Sequence, residues 1–222
     1  MNISQIKGFL NKHQKLRILC VKVYDIHRKS KIRVGGGIAP SVQLIKAVRY
    51  DSGKNNRIDI EDDCVLKDCV FRFIGSNNHV IIKKGCSLNF TTVWIEDNNN
   101  TVIIGTKTTI QGKTDIACIE GTTVSIGDDC MFSSNIRLRS GDSHSVINSA
   151  GDRINASRDI HLGNHVWVGQ DVFIGKGANV PDNSILGACS VVTRQFDEPN
   201  VAIAGNPAKV IKNNVNWKRE RL

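Results

Sequence analysis

The chain has few aromatic residues and no long apolar run. Aromatic residues make up 5% of the 222 residues, while hydrophobic residues of all kinds make up 40%. A core must therefore be filled by Ile, Val, Leu and Ala. No apolar run reaches the ~18 residues of a membrane-spanning helix. The first twenty residues contain no continuous apolar segment before a small-residue cleavage site, so we expect no secretory signal.

Cysteine pairs of the CxxC type are also missing. The seven cysteines stand at irregular spacing. An odd number of cysteines in a chain without an export signal favours free thiols in a reducing compartment. The sequence therefore predicts a cytoplasmic protein with structural thiols and no disulfide framework.

The charge is unbalanced toward the basic side. Thirty Lys and Arg residues against twenty-one Asp and Glu residues give a net charge of +9. Such an excess indicates an anionic partner, and an acidic polysaccharide, an acidic lipid, a polyphosphate cofactor and nucleic acid all satisfy it. No basic stripe interleaved with aromatic residues is present, so we do not expect nucleic acid to be the partner.

An internal repeat determines the expected architecture. Aliphatic residues recur every 22 positions, and so do the residues around them. The columns in phase are Ile58, Val80, Val102 and Val124; Ile60, Ile82, Ile104 and Ile126; Cys64, Cys86, Thr108 and Cys130; and Leu66, Leu88, Ile110 and Phe132. The pairs Asn55-Asn56, Asn77-Asn78 and Asn99-Asn100 recur with the same period. Asn tolerates the left-handed backbone of a sharp corner, and stacked Asn side chains can form a hydrogen-bonded ladder.

A six-residue rhythm continues the pattern toward the C-terminal end. Its aliphatic positions are Leu162, Val168, Ile174, Val180, Leu186 and Val192. The interval from Ile126 to Leu162 is a multiple of six, so the two rhythms share one register. A period of six is incompatible with an amphipathic α-helix and is typical of a parallel β-helix, whose coils stack at about 4.8 Å. We therefore predict an all-β solenoid.

Residues 1–50 lie outside the repeat and form a separate segment in this prediction. An apolar pattern up to Tyr24 predicts a basic amphipathic helix, which we expect to cap the open end of the solenoid. A membrane-surface or partner-binding role is the alternative. The predicted solenoid domain spans residues 51–212, and residues 213–222 form a C-terminal tail.

A polar segment near residues 139–160 interrupts the rhythm. Insertions project from a solenoid and often carry its functional site. The segment contains Asp142 and His144, which point the same way if the backbone between them is extended. A carboxylate next to an imidazole fixes its tautomer and raises its basicity. The alternative is a solvated loop with a surface histidine.

The motifs resemble those of a known family. The hexads LGNHVW, VGQDVF, IGKGAN, VPDNSI and LGACSV are similar to the hexapeptide-repeat acyltransferases. The order of GDSHSVIN, GDRIN, IHLGNHVWVG and AGNPAKVIK resembles the branch that acetylates sugars and surface polysaccharides, including O-acetyltransferases of the colanic-acid and polysialic-acid type. The resemblance covers residues 50–212.

The resemblance implies a left-handed β-helix with three faces, a homotrimer with active sites between subunits, and acetyl-CoA as the acyl donor. It implies that His144 is the catalytic base, with Asp142 beside it, and that Trp167 lies at the thioester arm. The implied cofactor-binding residues are Trp167, Gly169, Gln170, Gly187, Ala188, Thr193, Lys209 and Lys212. Two departures affect their placement: Cys189 replaces a usual Gly, and the loop RQFDEPN is one residue longer than the commonest form.

The chemistry requires a single base. A sugar hydroxyl attacks poorly until its proton is removed, and imidazole, with a pKa of about 6.5, accepts a proton near pH 7. The thiol leaving group departs without strong acid assistance, so we expect direct transfer in a ternary complex, with a backbone N–H or the Trp167 indole stabilising the oxyanion. We expect no metal, although His144, His161 and His165 invite a comparison with zinc ligands.

The predicted acceptor is a polymeric, acidic carbohydrate such as a capsule or lipopolysaccharide chain. Two alternatives remain open at this point. One is acetylation of a small acceptor, such as a free sugar, an amino sugar nucleotide or an antibiotic. The other is a β-helix that binds a partner without catalysis. A peripheral position at the inner membrane face through the basic N-terminal segment is also possible on charge grounds.

Overall fold

The structure is a computed structural model, and it describes Ile32 and residues 35–222. The predicted amphipathic helix up to Tyr24 lies outside the described residues. Within them, no helix is long and apolar enough to cross a membrane.

Three sheets form the faces of a left-handed parallel β-helix, as predicted. The nine-stranded sheet contains, in spatial order, β1 (Gln43–Ile45), β4 (Val65–Lys67), β7 (Ser87–Asn89), β10 (Thr109–Ile110), β13 (Met131–Phe132), β16 (Trp167–Val168), β19 (Ile185–Leu186), β21 (Val201–Gly205) and β22 (Ala208–Asn213). The seven-stranded sheet contains β2 (Val48–Asp51), β5 (Val70–Ile74), β8 (Thr91–Glu96), β11 (Thr114–Cys118), β14 (Ile136–Arg139), β17 (Phe173–Gly175) and β20 (Val191–Val192). The six-stranded sheet contains β18 (Asn179–Val180), β15 (Ile160–Leu162), β12 (Thr123–Ile126), β9 (Thr101–Ile104), β6 (His79–Ile82) and β3 (Arg57–Ile60).

The predicted columns are in register. Ile60, Ile82, Ile104 and Ile126 pair in succession along the six-stranded sheet, and Leu162 continues the column across the polar insertion. Leu66, Leu88, Ile110 and Phe132 do the same in the nine-stranded sheet. All of these side chains are buried. Each buried side chain of this size contributes about 1.5–3 kcal/mol, so the column is a main source of stability.

The asparagine corners follow the prediction as well. The first residue of each pair is left-handed, with φ values of 56° at Asn55, 58° at Asn77 and 63° at Asn99. The second residue is buried and joins a ladder, in which Asn56 Oδ1 accepts from the Asn78 N–H and Asn78 Oδ1 accepts from the Asn100 N–H, at 3.0 and 2.9 Å. The ladder satisfies backbone donors that a sharp corner would otherwise leave unpaired inside the solenoid.

Cysteines fill small buried sites in the coils. Cys64, Cys69, Cys86, Cys118 and Cys130 are free and buried, whereas Cys189 is free and exposed. Burial raises the pKa of Cys69 and of Cys130 to about 11, despite opposing hydrogen bonds. These two thiols are therefore protonated at neutral pH, as structural thiols should be.

The solenoid extends beyond the predicted boundaries at both ends. Strands β1 and β2 begin before residue 51 and pair in parallel with β4 and β5. An isolated bridge from Ile38 to Ile60 extends the six-stranded sheet further back. Ile38 and Leu44 stand 22 residues before Ile60 and Leu66, so the spacing of the later coils already begins in this segment. At the other end, β22 turns back antiparallel to β21, and Trp217 is buried against the coils.

Candidate functional site

The polar insertion is a short hairpin that projects from the edge between two sheets. It leaves the seven-stranded sheet after β14 and enters the six-stranded sheet at β15. Ile147 and Arg153 form an antiparallel bridge, and the Ile154 N–H donates to the Val146 carbonyl at 2.9 Å. The hairpin exposes three apolar side chains, at 51% for Val146, 63% for Ile147 and 62% for Ile154.

Glu120 fixes the hairpin to the coil beneath it. Its carboxylate accepts from the Ser157 hydroxyl at 2.7 Å and pairs with the Arg153 guanidinium at 2.8 Å. The hydrogen bonds from Ser157 and Arg153 lower the pKa of Glu120 below its ordinary value. At the base, buried Ser140 accepts from the Thr122 hydroxyl at 2.6 Å. The hairpin therefore has a rigid attachment to the solenoid, although its surface is polar.

His144 is exposed on this hairpin. In residues 35–222 no hydrogen bond engages its imidazole, so both ring nitrogens are open to a substrate. Its carbonyl oxygen accepts from Asn155 Nδ2 at 2.8 Å, which fixes the backbone at this residue. A histidine held by its backbone with a free ring suits a base that must reach an incoming hydroxyl.

The expected pairing of Asp142 with the His144 ring is wrong. Ser143, between them, has a φ of 64°, so the backbone is left-handed and not extended. The Asp142 carboxylate instead accepts from Lys176 Nζ at 2.5 Å and from Asn155 Nδ2 at 2.8 Å. The hydrogen bond from Lys176, followed by that from Asn155, lowers the pKa of Asp142.

Asn155 is the central residue of this network and was not identified from the sequence. Its Nδ2 donates to both Asp142 and the His144 carbonyl, and its Oδ1 accepts from the Val146 N–H at 2.7 Å. Its backbone carbonyl accepts from Lys176 at 2.9 Å. The only available signal was its place in the GDRIN motif, since its contacts, apart from one with Arg153, are across the hairpin or to another coil.

A cavity of about 320 Å³ lies next to Asp142 on the solenoid side. Its lining is cationic, since it contains three basic side chains, Arg139, Arg158 and Lys176, and one carboxylate, that of Asp142. Thr193, predicted to contact pantetheine, also lines this cavity. Thr193 follows β20 at the same edge as the hairpin, so the structure places it with Asp142.

Most other predicted cofactor-binding residues lie elsewhere, on or next to the nine-stranded sheet. Trp167 lies on β16 and is 38% exposed. In the sheet it is in register with Met131 on one side and Ile185 on the other. Gly169 stacks on the next coil so closely that a Cβ would lie 2.8 Å from the Ala188 nitrogen. A Cβ on Gly187 would lie 2.8 Å from Ala204 Cβ. These glycines therefore have a packing role, whatever else they contact.

The coil after Trp167 turns sharply beside Ala188. The Gln170 carbonyl accepts from the Cys189 N–H at 2.9 Å, and Cys189 has a φ of 58°. Glycine is the residue that adopts such a backbone without cost, so the Gly that the resemblance implies here would suit the turn. Cys189 adopts the left-handed backbone in its place and still donates to the preceding coil.

Lys209 and Lys212 are exposed on β22, opposite Ala204 and Ala202 respectively. The longer loop before β21 has not moved the final hairpin out of the sheet, because β19 still pairs with β21 through Ile185 and Ala202. Both lysines are thus available to an anion on the outside of the nine-stranded sheet.

The C-terminal tail packs against the neighbourhood of Trp167. Trp217 stacks on His165 with ring centroids 4.1 Å apart, and its indole N–H donates to the His165 carbonyl at 2.8 Å. His165 Nδ1 lies 2.8 Å from Asp129, which Arg219 also contacts at 2.9 Å. The rings of Trp217 and Trp167 are tilted relative to each other, with their centroids 6.3 Å apart. His165 is thus engaged structurally, and within residues 35–222 no cluster of three or more His, Cys, Asp or Glu is placed to hold a metal.

The predicted residues therefore form two groups. His144, Asp142 and Thr193 lie at the edge where the hairpin leaves the seven-stranded sheet. Trp167, Gly169, Gln170, Gly187, Ala188, Lys209 and Lys212 lie on or next to the nine-stranded sheet. A parallel β-helix keeps such groups apart within one copy of the chain.

Comparisons with known proteins identify relatives. The chain is 33% identical over 169 residues to the polysialic acid O-acetyltransferase of Neisseria meningitidis, covering 76% of this chain and 78% of that protein. It is 38% identical over 120 residues to the polysialic acid O-acetyltransferase of Escherichia coli O1:K1, where the match spans only 38% of the relative's length. No protein-family model matches the chain.

Among solved structures, the polysialic acid O-acetyltransferase OatWY superposes with a TM-score of 0.73 at 30% identity. The superposition covers 85% of this chain and 90% of that one. The likeness therefore extends over most of both chains.

Proposed function

Because the chain belongs to the hexapeptide-repeat O-acetyltransferases, we propose that it transfers acetyl from acetyl-CoA to a hydroxyl of an acidic bacterial surface polysaccharide. The observation that carries the proposal is His144, which projects a free imidazole from an anchored hairpin. The relatives are polysialic acid O-acetyltransferases, and this acceptor and the net charge of +9 support an acidic acceptor.

In the proposed reaction, a His144 ring nitrogen removes the proton of the acceptor hydroxyl as its oxygen attacks the thioester carbonyl. A tetrahedral oxyanion forms, and the C–S bond breaks as the carbonyl returns. The thiolate then takes the proton from the imidazolium, which restores the base. No covalent enzyme intermediate is needed, since a thiol is already a good leaving group.

Asn155, Asp142 and Lys176 act in this proposal as positioning residues. Asn155 holds the His144 carbonyl, Asp142 holds Asn155, and Lys176 neutralises Asp142. A carboxylate with two donors stays ionised at neutral pH, and so the network keeps one arrangement. The hairpin is thereby preorganised before substrate arrives.

Acetyl-CoA binding is assigned to the second group of residues. Trp167 forms a wall for the thioester arm, Gly169, Gln170, Gly187 and Ala188 offer backbone and side-chain contacts along it, and Lys209 and Lys212 face the phosphates. Thr193 contacts pantetheine from the hairpin side. Since His144 and Trp167 lie at different parts of one copy, the complete site forms between neighbouring copies in a homotrimer.

The apolar surface of the hairpin supports that assembly. Val146, Ile147 and Ile154 are each more than half exposed in one copy. Apolar side chains clustered on a projecting arm mark a contact with another protein surface. A cytoplasmic location, peripheral at the inner membrane face, remains a prediction from the sequence.

The first test is acetyl transfer from acetyl-CoA to polysialic acid, measured by thiol release, for wild type and His144→Ala. We expect the variant to lose a factor of about 10²–10⁴ in kcat, the usual contribution of a general base. His161→Ala is the matched control, since His161 faces outward on β15 between Ser125 and Asn179. Near-wild-type activity of His144→Ala would exclude the proposed role.

The alternative of a small acceptor is tested in the same assay. Monosaccharides, amino sugar nucleotides and chloramphenicol replace the polymer at equal concentrations of hydroxyl groups. We expect a higher kcat/KM for the polymer, and a preference for any small acceptor would overturn the polysaccharide assignment.

A further inference from the structure

The outer face of the seven-stranded sheet carries a column of stacked side chains that the proposed mechanism does not use. The column runs in register through Tyr50, Arg72, Trp94, Ala117 and Arg139. The Arg72 guanidinium lies 4.8 Å from the Tyr50 ring centroid and 5.0 Å from that of Trp94. Cation–π contacts on both sides hold the arginine and make the column rigid.

A cavity opens where the column has its smallest side chain. Its volume is about 410 Å³, and Ala117 forms part of its floor. Trp94 and Arg139 stand on either side of Ala117 along the column, and Arg137 lines the cavity from the neighbouring column. Ser143, next to His144 in the chain, lines it as well. The cavity thus begins on the solenoid face and ends at the hairpin that carries the proposed base.

The cavity presents one fixed aromatic ring and two available guanidinium groups. The Trp94 indole N–H donates to Glu96 at 2.7 Å, so the ring has a defined orientation, and it is 37% exposed. Within the part of the chain that the structure describes, no hydrogen bond or ion pair engages the side chains of Arg137 or Arg139. Two carboxylates, Asp115 and Glu96, also line the cavity, and Glu96 is engaged by Trp94.

We propose that this cavity binds one carboxylated sugar residue of the acceptor. The apolar face of the sugar packs on Trp94, its carboxylate pairs with Arg137 and Arg139, and a hydroxyl points toward the hairpin. Guanidinium groups match carboxylates with paired, charge-assisted hydrogen bonds, which gives selectivity for an acidic sugar over a neutral one. The inference rests on the proposed function and names the residues that select its substrate.

Two variants test the cavity in different ways. Arg137→Gln removes one guanidinium, and Ala117→Leu fills the space from an outward position without changing the core. With full-length protein, we expect each variant to raise the KM for polysialic acid about tenfold or more. The reason is that Arg137→Gln removes one charge-assisted hydrogen bond and Ala117→Leu removes the space that the sugar would occupy. The KM for acetyl-CoA and the unfolding temperature should stay at wild-type values.

Arg57→Gln is the matched control, because Arg57 is an exposed arginine on the six-stranded sheet. It removes the same charge from another face and should leave the KM for the polymer unchanged. An equal rise in KM for Arg57→Gln and Arg137→Gln would show a general charge effect and overturn the inference.

Calorimetry without acetyl-CoA separates this inference from the proposed function. Wild-type protein should bind polysialic acid and bind its carboxyl-reduced derivative at least about tenfold more weakly. If Arg137→Gln and Ala117→Leu both bind and acetylate the polymer as wild type does, the cavity is not the acceptor site, although the transferase function stands. If wild type binds the polymer through this cavity yet transfers no acetyl group, the transferase function fails and the binding site stands.

Discussion

At the residue scale, the proposed chemistry depends on how the backbone carbonyl of His144 is held. Asn155 donates to the His144 carbonyl and to the Asp142 carboxylate from the same nitrogen, and its oxygen accepts from Val146. The imidazole itself is unconstrained by hydrogen bonds in residues 35–222. Its position is therefore set by the hairpin backbone alone, which makes Asn155 a positioning residue.

Asn155→Ala should lower kcat for acetyl transfer by about tenfold to 10²-fold, since misplacement of a catalytic group by about an ångström costs up to that much. The KM for acetyl-CoA should change little, because the hydrogen bonds of Asn155 involve none of the residues assigned to acetyl-CoA. Steady-state kinetics with both substrates varied separates the two parameters. A rise in the KM for acetyl-CoA with constant kcat would contradict the role.

The stabilisation that the Asp142 carboxylate gives to the hairpin depends on pH. Lys176 and Asn155 lower its pKa, so the ionised form is favoured in the folded protein and the stabilisation is present above the unfolded pKa of about 3.9. It is lost as pH falls through the lower folded value. We expect the difference in unfolding temperature between wild type and Asp142→Asn to be constant from about pH 7 to 5 and to shrink below about pH 4. A difference that grows on acidification would contradict this assignment.

The sequence predicted part of this site. His144 and Asp142 were identified because the insertion breaks a regular rhythm and matches a family motif. Their relation was not predictable, since a single left-handed residue, Ser143, turns the carboxylate away. Lys176 lies 34 residues from Asp142 in the chain, and only the stacking of β17 under the hairpin brings them together.

At the element scale, the corner ladder and the aliphatic columns support each other. The buried side chain of Asn78 accepts from the Asn100 N–H and amide and donates to the Asp97 carbonyl at 3.0 Å. Each of these coils is therefore hydrogen-bonded to the next both through its strands and through the side chain of its corner asparagine. The sequence made this predictable, because the asparagines and isoleucines recur with one period.

Asn78→Ala should reduce the free energy of unfolding by about 2–4 kcal/mol, because it removes the partner of the buried Asn100 N–H and of the Asp97 carbonyl on the next coil. Denaturant unfolding measures the change. Asn89→Ala is the matched control: among the described residues its side-chain amide hydrogen-bonds only to Gln111, at the surface, and its loss should cost less than about 1 kcal/mol. Equal losses for the two variants would show that the ladder carries no special stability.

At the scale of the whole molecule, a single copy does not bring the proposed base and the proposed thioester wall together. The hairpin extends from the edge of the seven-stranded sheet, and Trp167 lies on the nine-stranded sheet. This separation could not be predicted from the repeat itself, since the solenoid period is the same on all faces. The resemblance alone predicted a trimer, and the exposed apolar hairpin is the structural feature consistent with it.

Ile147→Asp should therefore convert the protein to monomers and abolish acetyl transfer while leaving the fold intact. Ile147 is 63% exposed in one copy, so the charge costs little there, but it would be buried without a partner in an interface. Light scattering gives the mass, and thermal unfolding reports the fold. Ile45→Asp, at 42% exposure in the first coil, is the control and should remain assembled and active.

A mixing experiment decides whether copies share a site. His144→Ala and Trp167→Ala subunits are unfolded together and refolded as mixed assemblies. If the base of one copy serves the thioester wall of another, some sites in a mixture combine two intact residues, so activity should rise above that of either variant alone. If each copy were complete in itself, every site would lack one residue and the mixture would show only the average of its parents. That second result, obtained with assemblies shown to be mixed, would place the whole site within one chain and remove the functional reason for the proposed trimer.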